Sequence, residues 1–147
     1  MSRSAITLSL VCATTLVLGA CMSTPPTQTV HITQERLLGE WSLVRVGSQR
    51  DSDVMTLDFR DDGILLGSVR CNSMSGPYEV RSARIVFPDG VIITAAGCGK
   101  RTPSSQSAAD TAERVLFRSP VTTFALSYDL QKLFVTGNSM LQFQRIR

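Results

Sequence analysis

The sequence predicts a mainly β protein, with a small antiparallel, barrel-like sheet and one amphipathic α-helix packed on it. Three observations predict this fold class. Apolar and polar residues alternate with period two over several short segments, turn sequences separate many of these segments, and one segment has helical spacing. Short strands joined by tight turns are typical of antiparallel sheets and small barrels.

The first strands are predicted before residue 64. Trp41 lies in the earliest of them. In the next strand Met55, Leu57 and Phe59 would face the interior, because every second side chain of a strand points to the same side. The sequence Asp-Asp-Gly at residues 61–63 follows, and Asp-Gly between apolar runs predicts a hairpin turn.

Further turns are predicted in the middle and near the end of the chain. Pro-Asp-Gly at residues 88–90 separates the apolar residues 85–87 from 91–93 and predicts a second hairpin. Near the C-terminus the alternating residues are Phe124, Leu126 and Tyr128. A further apolar run, residues 133–135, turns through Gly-Asn at 137–138 into the last strand, residues 140–143.

One helix is predicted from Ser107 to Phe117. Its apolar face consists of Ala108, Ala112, Val115 and Leu116. Ser107 would cap the helix, and Pro120 would stop it, because the residue before a proline avoids helical geometry. Phe117 falls on the polar side, so either the helix ends there or the ring packs against something outside the main core.

The first twenty residues have the features of a bacterial lipoprotein signal. Arg3 precedes an uncharged run over residues 5–20, which ends in Leu-Gly-Ala before Cys21. The run is shorter than the roughly 20 apolar residues needed to span a bilayer. The resemblance to lipoprotein signals implies cleavage before Cys21 and acyl chains on that cysteine. The alternatives are an uncleaved anchor or an ordinary secretory signal.

Location and domain organisation follow from this segment. Met22, rather than an aspartate, follows the predicted lipid attachment residue. The resemblance to lipoproteins then implies sorting to the outer membrane, with the domain facing the periplasm. The polar, proline-bearing stretch that follows predicts a flexible tether over residues 21–36, and it contains His31, the single histidine. The folded domain is expected to begin near Leu37 and to cover residues 37–147.

Composition limits the classes of partner. Hydrophobic residues make up 43% and charged residues 18% of the chain, which is ordinary for a globular domain. The 15 basic and 12 acidic residues are scattered without a run of one sign, so no nucleic acid partner is predicted. The expected partners are the membrane, through the lipid on Cys21, and an unknown envelope protein or small ligand.

The four cysteines divide by position. Cys12 would leave with the signal and Cys21 would carry the lipid, so Cys71 and Cys98 remain. In an oxidising compartment two remaining thiols most often form a disulfide; the alternative is two separate buried thiols. Zinc usually requires four clustered ligands, so neither a metal nor a cofactor is predicted.

Several short motifs together resemble a known family. They are Leu-Gly-x-Trp-x-Leu at residues 38–43, Gly-x-x-x-Cys-Asn-x-x-x-Gly-x-Tyr at 67–78, Ile-Thr-x-x-x-Cys at 93–98, a helix containing Glu113, and a final Leu-x-Phe at 141–143. In this order they resemble the META domain, found in the heat-shock protein HslJ and related bacterial envelope lipoproteins. The resemblance implies a mostly β, barrel-like fold with one helix, a role in envelope stress or antibiotic tolerance, and no enzymatic activity.

The motif residues have two interpretations. In the functional interpretation, a ligand-binding polar patch beside Cys71 would be formed by Asn72, Ser73, Ser75 and Tyr78. In the structural one, which we favour, Asn72, Gly76 and Tyr78 fix a strand-turn-strand unit: the glycine allows close backbone approach, the amide bonds to local backbone and the ring packs in the interior.

Three function hypotheses follow, and none involves catalysis, because the chain has no histidine outside the tether and no nucleophile or phosphate-binding motif. The leading one is a lipid-anchored module that supports stress or drug tolerance by binding an envelope component. The second is an inhibitor of a lysozyme-type hydrolase, acting through Lys100 and Arg101 in a loop over residues 97–106. The third is a small-ligand carrier with a cavity inside the barrel.

Overall fold

The computed structural model describes residues 28–50, 54–96, 98–99, 103–119 and 122–146. The helices in these ranges are α1 (Gln34–Leu37) and α2 (Pro103–Glu113), and α2 continues into a π-helical segment (Arg114–Arg118). The strands are β1 (Thr29–Val30), β2 (Gly39–Val46), β3 (Gln49–Arg50), β4 (Met55–Phe59), β5 (Ile64–Val69), β6 (Asn72–Pro77), β7 (Glu79–Arg81), β8 (Arg84–Val86), β9 (Ile92–Ile93), β10 (Thr123–Ser127), β11 (Lys132–Thr136) and β12 (Met140–Arg145).

One large antiparallel sheet dominates the fold. Its strand order is β1-β10-β11-β12-β2-β4-β5-β6-β9, with β3 paired to β2, while β7 and β8 form a separate two-stranded sheet. The predicted mainly β fold with one helix packed on an antiparallel sheet is therefore confirmed. The edge strands β1 and β9 are not paired with each other, so the sheet is open and is not closed into a barrel.

Two of the predicted hairpins are present. The Asp-Asp-Gly turn at residues 61–63 joins β4 to β5, with Phe59 opposite Leu65 and the Asp62 carboxylate accepting a hydrogen bond from the Ile64 N–H at 3.0 Å. The turn containing Gly-Asn at 137–138 joins β11 to β12. In both hairpins one face is buried at alternate positions, as the period-two pattern predicted.

The hairpin predicted at Pro-Asp-Gly, residues 88–90, is wrong. The turn exists, but β8 before it pairs with β7, and β9 after it pairs with β6. The β7–β8 connection is the true hairpin: Ser82 and Ala83 have φ values of 49° and 58°. Positive φ at both central residues is the geometry of the tight hairpin turn normally made by Asn-Gly, so this turn carries no such sequence signal.

The folded part also begins earlier than predicted. Thr29 in β1 pairs with Ser127, and Ile32 is buried, so residues 28–36 are not part of a flexible tether. The predicted boundary at Leu37 is therefore too late by at least nine residues. Short elements explain the error, because a two-residue strand and a four-residue helix leave no periodic pattern. Residues 21–27 of the predicted tether lie outside the described residues.

Trp41 and Arg145 fasten this N-terminal part to the sheet. The Trp41 indole is fully buried and donates a hydrogen bond to the Leu37 carbonyl at 2.9 Å. The Arg145 guanidinium lies 4.1 Å from the centre of the indole ring and donates to the carbonyls of Arg36 and Leu38. Burial lowers the pKa of Arg145, and the ring face and carbonyls compensate for the water that this cation loses.

The helix covers part of the open sheet with small residues. Ala108, Ala109 and Ala112 are buried, and small side chains let a helix approach a sheet closely. The helix begins at Pro103 rather than at Ser107, so the predicted serine cap is wrong. A proline is well suited to the first turn, where its missing N–H is not needed.

A single glycine permits the close approach of β4 and β5. A Cβ atom built on Gly67 would lie 2.2 Å from the Thr56 carbonyl oxygen, which is too short for any real contact. A Cβ atom built on Gly99, by contrast, would have nothing within 4 Å of it. Glycine is therefore required at position 67, because any side chain there would collide with the backbone of β4.

We predict that Gly67→Ala lowers the free energy of unfolding by about 3 kcal/mol, because two backbones must separate to admit the methyl group. Gly99→Ala is the matched control and should change it by less than about 0.5 kcal/mol. Urea unfolding of both variants checks this. Equal stabilities of the two variants would contradict the close-approach argument.

Candidate functional site

The predicted disulfide is present. Cys71 and Cys98 are joined, with their Cα atoms 5.6 Å apart and a sequence separation of 27, so the alternative of two separate thiols is wrong. A loop of this length gives about 3.5 kcal/mol of stabilisation in the chain-entropy treatment. The bond ties the β5–β6 turn to the segment that follows β9. Cys71 is exposed, so the disulfide lies on the surface, outside the core.

Asn72 holds the same segment by a hydrogen bond. Its side-chain oxygen accepts from the Ala96 N–H at 2.8 Å. Beside it the Ser73 N–H donates to the Thr94 hydroxyl oxygen at 3.0 Å, and the Thr94 N–H donates to the Ser73 carbonyl at 3.0 Å. The amide of Asn72 therefore fixes the path of the chain beyond β9.

Gly76 allows another close approach. A Cβ atom at this position would lie 2.4 Å from the Gly90 carbonyl oxygen. The turn at residues 88–90 therefore lies directly against β6. Any side chain at position 76 would push this turn away and displace the strand that follows it.

Tyr78 is a buried residue of the core. Its ring is 2% exposed and meets the Phe59 ring edge-on, with the centroids 5.0 Å apart. Its hydroxyl donates to the Arg60 carbonyl at 2.7 Å. Burial, together with the negative charges of Asp62, Asp61 and Asp58, raises the pKa of Tyr78 to about 12.

The four residues of the functional interpretation do not form one patch, because Tyr78 lies apart from the other three. Asn72 begins β6 and Tyr78 follows its end, which separates them by about 20 Å along an extended strand. Ser73 and Ser75 face solvent, whereas Tyr78 is buried on the other side. The geometry of these residues therefore supports the structural interpretation.

A surface cleft lies elsewhere, between the β7–β8 hairpin, the π-helical segment and the start of β10. Its volume is about 460 Å³, and three phenylalanines line it, namely Phe87, Phe117 and Phe124. The rings of Phe87 and Phe117 meet edge-on at 5.1 Å. Arg81 and Arg84, both exposed, supply positive charge along the same cleft.

The π-helical segment shapes this cleft. π-Helical turns are rare in proteins, but those that do occur are often found at functional sites. Here the segment directs Val115 and Leu116 into the core while Phe117, which does not fit the apolar face of a regular α-helix, packs on Phe87 in the cleft. The Thr122 hydroxyl donates to the Val115 carbonyl at 3.0 Å and so satisfies a carbonyl near the end of the segment.

The sequence predicted an unusual position for Phe117, on the polar side of the helix, but it did not predict the cleft. The lining residues come from the β7–β8 hairpin, the segment after β8, the π-helical segment and the region from the end of that segment to β10, and these parts are far apart in the chain. The one available signal was a phenylalanine on the polar side of a predicted helix. That ring packs outside the main core, as the second of the two alternatives predicted.

The interior of the sheet is filled. Leu57, Phe59 and Leu126 are at most 1% exposed, and Phe124 is 9% exposed. Phe124 also lines the surface cleft. Because the sheet is open and Leu57, Phe59 and Leu126 fill its interior, the hypothesis of a carrier with a cavity inside a barrel is wrong. A ligand would have to bind at the surface.

The other residues predicted for a site are not brought together into one in the part of the chain that the structure describes. Cys21, Lys100 and Arg101 lie outside the described residues, and the later part of the predicted inhibitory loop, from Pro103, belongs to α2. His31 is exposed. In the described ranges no three His, Cys, Asp or Glu side chains are grouped so that they could hold a metal ion. No helix in those ranges has the length and apolar character needed to cross a membrane.

Comparisons with known proteins agree with the fold. The family model of the META domain matches residues 34–145. The chain is also similar to a solved structure described as the NMR structure of the protein from Burkholderia xenovorans, with a TM-score of 0.55 and 18% identity, covering 85% of this chain and 99% of that one. That similarity supports the fold alone. No curated protein is similar enough in sequence to count as a match.

The buried hydroxyl of Tyr78 predicts a loss of stability at high pH. A pKa raised from its ordinary value of about 10 means that the protonated phenol stabilises the fold fully below pH 10. This contribution should disappear as the pH rises through about 12. In a Tyr128→Phe background Tyr78 is the sole tyrosine, and its tyrosinate absorbance should have a midpoint near 12.

Tyr78→Phe is the matched variant for stability. It keeps the ring but removes the hydrogen bond to Arg60, and should lower the free energy of unfolding at neutral pH by about 1 kcal/mol. A tyrosinate midpoint near the ordinary value of about 10 would show that the hydroxyl is not buried in this way.

Proposed function

The chain belongs to the META domain family, and on that premise we propose that it is a lipid-anchored, non-catalytic protein of the bacterial envelope. It supports envelope stress or antibiotic tolerance by binding an envelope component. The family model spans most of the chain. The envelope role is supported by the lipoprotein-like signal before Cys21 and by the resemblance of the chain to envelope lipoproteins that contain this domain.

The phenylalanine-lined cleft carries the proposal. Ligand sites are typically concave and mostly apolar, with a few polar groups that fix orientation. Phe87, Phe117 and Phe124 supply the apolar contact, while Arg81 and Arg84 supply positive charge. The complementary ligand is an amphipathic envelope molecule whose apolar part lies on the rings and whose anionic group lies near the guanidinium groups.

The polar groups of the cleft favour binding over turnover. Guanidinium groups stay protonated at neutral pH and so are poor proton acceptors. The Thr122 hydroxyl donates its proton to the Val115 carbonyl and has no base beside it in the described residues. Arg81 is also held by an ion pair with Glu79, which fixes its position at the end of β7.

The anchor is the second part of the proposal. Cys21 follows the Leu-Gly-Ala sequence that ends the apolar run, and it would carry the acyl chains after cleavage. Stable membrane attachment requires more than one acyl chain, which a lipoprotein anchor supplies. With Met22 as the next residue, we place the domain at the outer membrane, facing the periplasm.

Charge reversal in the cleft tests the function. Arg84→Glu would replace a favourable contact to an anionic group by repulsion, which we expect to weaken binding at least about tenfold. The matched control is Arg50→Glu, the same change on the exposed strand β3. Each variant is expressed in a strain lacking the gene, and survival under envelope stress and drug exposure is measured.

The wild-type protein and Arg50→Glu should restore survival, whereas Arg84→Glu should leave it near that of the deletion strain. Immunoblots of membrane fractions establish that both variants accumulate equally. Full restoration by Arg84→Glu would exclude the cleft. A deletion strain as resistant as its parent under all conditions would remove the proposed role itself.

A further inference from the structure

Two exposed apolar side chains lie at one end of the main sheet. Tyr128, in the turn between β10 and β11, is 73% exposed, and Ile146, just after β12, is 48% exposed. We call the turn at residues 128–131 together with Ile146 the Tyr128 end. Single exposed apolar side chains are common, but several at one place can mark a surface that contacts a membrane or another protein.

Hydrogen bonds tie the Tyr128 end together. The Arg145 N–H donates to the Gln131 carbonyl at 2.9 Å, and the Arg145 side chain donates to the Leu130 carbonyl at 2.9 Å. These bonds join the turn that contains Tyr128 to the end of β12, directly before Ile146. Asp129, the acid in this turn, accepts hydrogen bonds from the Ser127 hydroxyl at 2.5 Å and the Gln131 N–H at 3.0 Å.

The chain from the predicted anchor enters the fold at this same end. The Tyr128 N–H donates to the Gln28 carbonyl at 3.0 Å. Only six residues, 22–27, separate Gln28 from Cys21. Seven residue steps span at most about 25 Å when fully extended, so an acylated Cys21 would keep Gln28 within about that distance of the bilayer surface.

We infer that the Tyr128 end is a membrane-facing surface that contacts the lipid headgroup region. Tyrosine is suited to this region because its ring is apolar and its hydroxyl remains hydrated, and Ile146 adds a small apolar contact. The inference rests on the proposed lipid anchor. It also gives the orientation of the cleft relative to the membrane. Phe124 of the cleft is four residues from Tyr128 along β10, which is about 13 Å. The cleft would therefore lie on the side of the domain away from the membrane.

Site-specific fluorescence on the acylated full-length protein tests this orientation. Tyr128→Cys and Ile146→Cys each place a fluorophore at the proposed surface. Met140→Cys is the matched control, because Met140 is also an exposed apolar residue, 43% exposed, but begins β12 at the opposite end from Ile146. The labelled proteins are reconstituted into vesicles of phosphatidylethanolamine and phosphatidylglycerol and exposed to a lipid-borne quencher at headgroup depth or to aqueous iodide.

The inference predicts that labels at positions 128 and 146 are quenched by the lipid-borne group and shielded at least about twofold from iodide relative to position 140. Labels that iodide reaches as readily as at position 140 would overturn it. Shielding from iodide without lipid quenching would also overturn it, since a protein partner or a second copy would then cover this end. Cosedimentation with the vesicles tests the anchor separately. Protein that sediments with the vesicles but whose labels iodide still reaches refutes this inference alone. Protein that does not sediment with the vesicles refutes the anchor as well.

Discussion

One face of the main sheet is apolar across its width, and the sheet is open because β1 and β9 are not paired with each other. An exposed face of this size would be unstable in water, since burying each large side chain is worth about 1.5–3 kcal/mol. Other elements must therefore cover it. Helix α2 contributes Ala108 and Ala112, the π-helical segment contributes Val115 and Leu116, and the β7–β8 hairpin contributes Ile85.

The cleft exists because these covering elements meet incompletely. Phe87, directly after the β7–β8 hairpin, meets Phe117 of the π-helical segment, but about 460 Å³ is left between these elements and β10. Close packing elsewhere fixes the walls: Gly76 lets the turn at residues 88–90 lie against β6, and Thr122 satisfies the end of the π-helical segment. The same requirement to cover an open sheet thus explains both the stability of the fold and the position of its candidate site.

Local chemistry explains which parts of the structure the sequence predicted. The β4–β5 hairpin was predictable because Asp-Gly separates two alternating runs. The disulfide was predictable because only two cysteines remain once Cys12 is assigned to the predicted signal and Cys21 to the predicted lipid attachment. The β7–β8 hairpin was missed because Ser82 and Ala83 adopt a conformation that neither residue type favours. The contacts of Arg145 with Arg36 and Leu38 join residues more than one hundred positions apart, which no local pattern encodes. The cleft was missed for the same reason.

Photo-crosslinking in intact cells tests most directly the proposed function, in which the protein acts by binding a ligand in the cleft. A photoreactive residue at Ser82, which lines the cleft, is compared with one at Ser48, an exposed residue in the turn between β2 and β3. We expect Ser82 to capture one defined envelope component under stress, and Ser48 to capture none. Identical capture from both positions, or no capture from Ser82 at normal membrane levels of the protein, would contradict this proposed function.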